Sequence, residues 1–211
     1  MESTRKLLRY GVVAGPFFLA LGVIQGLVRE GFDFSRHALS HLANGPGGWV
    51  QMATFVFTGL MVIAAAIGLR RALAPGGRAM TWFLTAFGAS MLLAALFRAD
   101  PVDGFPVGTP EGMPTAISTA GMVHFIAGAL GFLSLAIACL LAAREMSRRT
   151  APGLARLSLV SGLIVLLGFF GGPFLGAGGI LGIWLAVVMG WVWLAVMSMH
   201  AMKHAGGTAS R

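Results

Sequence analysis

Six apolar runs of roughly 20 residues, each long enough to cross a hydrocarbon core of about 30 Å as a helix, fix what this chain can become. They lie near residues 7–28, 50–69, 80–97, 120–143, 157–174 and 179–202. A lipid-facing segment must satisfy its own backbone hydrogen bonds, so runs of this length read as helices. The expected class is an all-α membrane protein, a six-transmembrane-helix bundle forming one membrane domain over residues 1–211. Composition agrees, because a chain that is 57% hydrophobic and 10% charged cannot cover a water-facing surface. The first run follows Arg5 and Lys6 as a secretory leader would, but it exceeds the usual apolar length and no small-x-small site follows, so it is expected to be retained. The lone Cys139 lies inside an apolar run, which excludes an internal disulfide and a cysteine-rich metal centre.

A formal charge of +8 would suggest nucleic acid in a soluble domain, yet here the basic residues punctuate apolar runs as topology signals do, so no nucleic-acid partner is expected. Arg5, Lys6, Arg9, Arg70, Arg71, Arg78, Arg144, Arg148, Arg149, Arg156, Lys203 and Arg211 fall on one side; only Arg29, Arg36 and Arg98 fall on the other. This asymmetry predicts a multi-pass protein with both termini cytoplasmic. Glu30, Asp33, Asp100, Asp103 and Glu111 then lie outside, as do the two longest connections, residues 29–49 and 98–119. Loops of that length are usually functional or disordered, which directs attention to the outer face.

The first outer connection holds the stretch FSRHALSHLANGPGGW, residues 34–49. At about 100° per residue, Arg36, His37, Ser40, His41 and Asn44 share one arc and Ala38, Leu39, Leu42 and Ala43 the opposite one. The spacing predicts a short amphipathic helix at the membrane surface, with Ser35 as N-cap and Asn44-Gly45-Pro46 as its stop.

Within the spans, Gly11, Gly15, Gly22 and Gly26 form one stripe of the first helix, a surface another helix can approach closely, with Gln25 and Arg29 at its outer end. Gln51, Thr54 and Thr58 share a face of the second. His124 stands a few residues inside the outer end of the fourth run with Gly128 and Gly131 on its face, and an ionisable group in a span marks a candidate site. The inner halves of the runs offer no carboxylate, Lys or Arg, which disfavours a channel or coupled transporter. An outward-facing polar pocket over an apolar floor is the expectation.

The stretch RHALSHLANGPGGWVQMATFVFTGL followed by GLRR, then FRADP and HFIAG, resembles the bacterial six-helix membrane family known as domain of unknown function 998, over about residues 5–202. The resemblance implies a multi-pass protein of the bacterial inner membrane and family-type positions at Ser40, Gly59, Asp100 and His124, with His37 beside them. It brings no established reaction, and His41 departs from a position that is often acidic in the family.

Three uses of such a pocket follow. In the first, the protein binds or organises a membrane lipid or other small amphiphile: Arg36 and Arg98 hold an anionic headgroup, Gln25, Arg29 and Gln51 line its polar end, and the apolar wall accepts a tail. In the second, a membrane-embedded hydrolase or transferase uses His37, Ser40, Asp100 and His124 as nucleophile and acid/base groups. The i, i+4 pair His37 and His41, with His124 and Asp100, could instead hold zinc with one position open for water, although Ala38 stands where zinc proteases carry Glu. The third is a small transporter.

Overall fold

The computed structural model describes residues 2–172 and 179–204. Six α-helices are formed, α1 (Glu2–Val28), α2 (Gly48–Ala72), α3 (Arg78–Leu96), α4 (Thr119–Arg148), α5 (Pro152–Phe170) and α6 (Gly179–His204). All six are long and apolar enough to cross a membrane, and among the described residues no strand is formed. The predicted end of the fifth run at Phe174, and Arg211 among the topology signals, lie outside the described residues. The helices outrun the apolar stretches chiefly at the end carrying Glu2 and His204, where polar turns extend them. Lys6–Glu2 and Arg149–Glu145 pairs, at 2.8 and 2.7 Å, sit on those turns.

Each helix packs on its successor and α6 returns to α1, so the six form a closed ring. The short connections after α2 and α4 lie at one end, hereafter the terminal end; the two long loops, residues 29–47 and 97–118, lie at the other, the loop end. The glycine stripe of α1 makes this closure possible. A Cβ at Gly15 would stand 2.6 Å from Trp191 Cβ on α6, and one at Gly22 would stand 2.7 Å from a Leu39 methyl. Between α2 and α3 the contact is backbone on backbone: a Cβ at Gly59 would lie 2.7 Å from the Gly88 carbonyl oxygen.

The first long loop departs from the helical wheel. Its helical part is a short 3-10 helix, Leu39–Ala43, preceded by an extended Ala38 at φ −75° and ψ 152°. Local side chains claim the backbone that an α-helix would have used. Asp33 Oδ1 accepts from Ser35 N–H at 2.7 Å and from its hydroxyl at 2.6 Å, so Ser35 closes a turn and caps nothing. His37 Nδ1 accepts from Asp33 N–H at 2.9 Å and His41 Nδ1 from Ala38 N–H at 3.2 Å. The stop is where expected, with Asn44 as C-cap and Gly47 at φ 80° leading into α2. With three residues per turn and an extended residue between them, the predicted polar arc splits. Arg36 and His37 turn to the second loop; Ser40 and His41 turn into the bundle.

Candidate functional site

The ring encloses a cavity of about 510 Å³ at its loop end, to which all six helices contribute. Its walls are aromatic and aliphatic, with Phe18, Phe55, Phe87, Phe132, Phe169 and Trp191 among them. Ala38–His41 and the stretch from Ala99 to Val102 roof it. The mouth opens beside the start of α4, where the lining residues Ile117, Met122 and Phe125 are exposed, Phe125 by 64%. Polar side chains are confined to the roof and the outer wall, Ser40, His41, Asp100 and His124, apart from Ser90 deeper on α3, whose hydroxyl is satisfied by Phe87 O at 2.7 Å. Trp191, almost wholly buried, lines the floor with its indole N–H unpartnered among the described residues.

Each polar group of the roof is oriented by a backbone partner. His124 Nδ1 lies 2.7 Å from the Phe97 carbonyl, which can only accept, so Nδ1 carries a proton and, whenever the ring is neutral, Nε2 presents a lone pair. His41 is the mirror case: Nδ1 accepts from Ala38 N–H, leaving the proton on Nε2. Desolvation, then the proximity of His37 and His124, pushes the His41 pKa down to about 4, so its ring is neutral near pH 7. Asp100 Oδ2 accepts from Ser118 N–H at 3.0 Å at the start of α4, where the helix dipole favours a carboxylate. Its carboxylate occupies the space a Cβ at Gly121 would need, and Ser118 Oγ caps the same turn by accepting from Gly121 N–H at 2.9 Å.

Of the expected site residues, Ser40, His41, Asp100 and His124 therefore share one cavity. His37 does not join them. It is fully buried between Phe32 and Phe105, with Nδ1 taken by Asp33 N–H and Nε2 donating to Asp103 O at 3.0 Å, so neither nitrogen is free for a metal. Among the described residues no three His, Cys, Asp or Glu side chains converge in a metal-holding arrangement, and the i, i+4 donor pair dissolves with the helix that would have presented it. No hydrogen bond among the described residues links Ser40 to His41, His124 or Asp100.

The candidate cations are likewise placed elsewhere. Arg36 grips both Asp103 oxygens, at 2.9 and 2.7 Å, and pairs with Glu111 as well. That grip raises the Arg36 pKa and holds the Asp103 carboxyl well below the usual range. Arg29 donates to Leu42 O at 3.1 Å and to Asn44 O, and lies over the Phe105 ring at 5.3 Å. Arg98 is exposed and outside the lining. Gln25 Nε2 donates to Gln51 Oε1 at 2.9 Å across α1 and α2, a buried pair that also lies outside the lining. Residues not singled out from sequence complete the site: the phenylalanines of the walls and Trp191, whose spacing on each helix carries no signal distinct from ordinary core.

The model of a family described as "Protein of unknown function (DUF998)" covers residues 12–200. No curated protein and no solved structure matches the chain.

Proposed function

The chain belongs to the DUF998 family, and for this membrane-spanning member of a family that supplies no reaction we propose the binding of a lipid or other amphiphile in the loop-end cavity. The observation that carries the reading is the distribution of polarity: an apolar chamber of about 510 Å³, within the roughly 300–1,000 Å³ of ligand pockets, with its hydrogen-bonding groups gathered at one end. An alkyl chain gains from such walls what it gains from the bilayer, and the polar end adds orientation. The exposed apolar mouth beside α4 supports entry from the membrane over entry from water. Gly128 provides the test. It lines the cavity, and a Cβ there would meet nothing nearer than Phe169 Cζ at 3.9 Å, so Gly128→Phe fills the chamber without displacing backbone. The variant is expected to fold and to lose co-purified lipid, quantified by mass spectrometry against the wild type. Undiminished lipid in a folded Gly128→Phe protein would overturn the reading.

The loop end is proposed to face away from the cytoplasm in a bacterial inner membrane, on the strength of the basic residues gathered at the terminal end. A membrane-impermeant thiol reagent applied from outside is expected to label Asp103→Cys and spare Arg148→Cys, each in a Cys139→Ser background. Labelling of position 148 alone would invert the orientation. A second reading, hydrolysis or group transfer on a lipid-like substrate, is favoured by one observation, the presence of Ser40, His41, Asp100 and His124 on the same cavity. Its signature would be turnover of an ester probe that Ser40→Ala or His124→Asn lowers by about 100-fold while binding persists.

A further inference from the structure

We infer that the headgroup taken by this cavity is uncharged and hydroxyl-bearing, of the acylglycerol or long-chain alcohol class, held by the free Nε2 atoms of His41 and His124 beside the Asp100 carboxylate. The inference rests on the amphiphile-binding reading and names its ligand class.

The first support is a charge inventory. Among the described lining residues there is no Lys or Arg, and Asp100 is the one carboxyl-bearing side chain. A phosphate or carboxylate headgroup would enter a space of low polarity to face that carboxylate with no counter-cation, an arrangement whose desolvation cost nothing offsets. The neighbouring guanidiniums are committed: Arg36 to Asp103 and Glu111, Arg29 to the carbonyls of Leu42 and Asn44. His41 cannot substitute for them, because burial keeps its ring neutral.

Complementarity is the second support. The Phe97 carbonyl holds the proton of neutral His124 on Nδ1 and leaves Nε2 as an acceptor, and the Ala38 N–H holds that of neutral His41 on Nε2 as a donor. An alcohol oxygen is the small group that answers both, since it donates one proton and accepts through two lone pairs. Asp100 Oδ1, free of the Ser118 bond, offers a further acceptor for a second hydroxyl, as a glycerol headgroup carries. An ammonium headgroup would satisfy Asp100 and His124 but, having donors only, would leave the His41 N–H bare. A plain alkyl chain would leave all three unpaired.

The test uses the full-length protein in lipid nanodiscs and the indoles of Trp184 and Trp191, both in the lining, as reporters. A monoacylglycerol carrying bromine on its chain, which quenches nearby indoles, is compared with its glycerol-phosphate counterpart of identical chain. The expected result is saturable quenching by the neutral probe with an affinity at least about tenfold above that of the phosphate probe. His41→Phe and His124→Phe should each weaken the neutral probe about three- to tenfold, the worth of one hydrogen bond, and narrow the preference. Equal or tighter binding of the phosphate probe to the wild type would overturn the headgroup assignment while leaving amphiphile binding standing, and so would His variants that keep the full preference. Non-saturable quenching by both probes, or quenching unchanged in Gly128→Phe, would remove the binding reading and the headgroup assignment with it. The wild-type comparison decides the matter even if a His variant fails to fold.

Discussion

Gly88→Leu is expected to prevent assembly of the bundle, with a loss of at least about 3 kcal/mol, the upper part of the range for overpacking. The reason is what the new side chain would meet. A Cβ at Gly88 would stand 2.8 Å from the Gly59 carbonyl oxygen and 2.8 Å from Ile63 Cγ1, and the reciprocal contact from Gly59 is equally short. A flexible side chain can rotate aside; a helix backbone cannot. The α2 and α3 axes must separate, and without a hydrophobic drive between helices in lipid, dispersion across that close contact is much of what joins them. Thermal melting in detergent, followed by helical circular dichroism and size-exclusion elution, reads the effect. Gly153→Ala is the control, because nothing lies within 4 Å of that position, and it should melt at or above the wild-type temperature.

Arg29→Ala is expected to release the roof of the cavity while leaving the six helices in place. The guanidinium supplies two donors to the Leu42 and Asn44 carbonyls, at the end of the 3-10 helix, and stacks over Phe105 of the other loop. Hydrogen bonds from a charged donor contribute roughly 1.5–3 kcal/mol each, so the local loss is about 3 kcal/mol or more. Hydrogen exchange should rise by about 100-fold or more at the amides of residues 39–44, with exchange in α3 and α5 unchanged. Arg98→Ala, which removes an exposed side chain, should leave the same amides protected. Equal exchange in both variants would refute the role assigned to Arg29.

The spans were legible because lipid imposes a single requirement, length of apolar helix, that one sequence expresses without ambiguity. The interior faces were legible for a related reason: only small residues permit close approach, so the glycine stripe of α1 and the His124–Gly128–Gly131 face pointed inward correctly. Ser40, His41, Asp100 and His124 also came together as their polarity implied. The loops were harder because their partners are distant in sequence and their geometry is not periodic. His37 looked like a twin of His41 on a wheel, yet its two nitrogens are spent on Asp33 and Asp103. Arg36 looked like an anion holder, but the acids that claim it lie 67 and 75 residues away. Charge type was readable from the sequence, and charge pairing was not.

The bonds that complete the roof have very different reach along the chain. Arg29 to Leu42 spans 13 residues, and His37 to Asp33 spans 4, so these contacts can form as soon as the first loop exists. Asn44 to Ala99, His37 to Asp103 and Arg36 to Glu111 span 55, 66 and 75 residues. A chain that is synthesised from its N-terminus and enters the bilayer one helix at a time cannot make the second set until α3 has crossed and the second loop has followed it. The long-range contacts of the first loop therefore wait through two further insertions. The chamber beneath it acquires its roof late in the birth of the molecule, after the walls that α1, α2 and α3 provide are already standing.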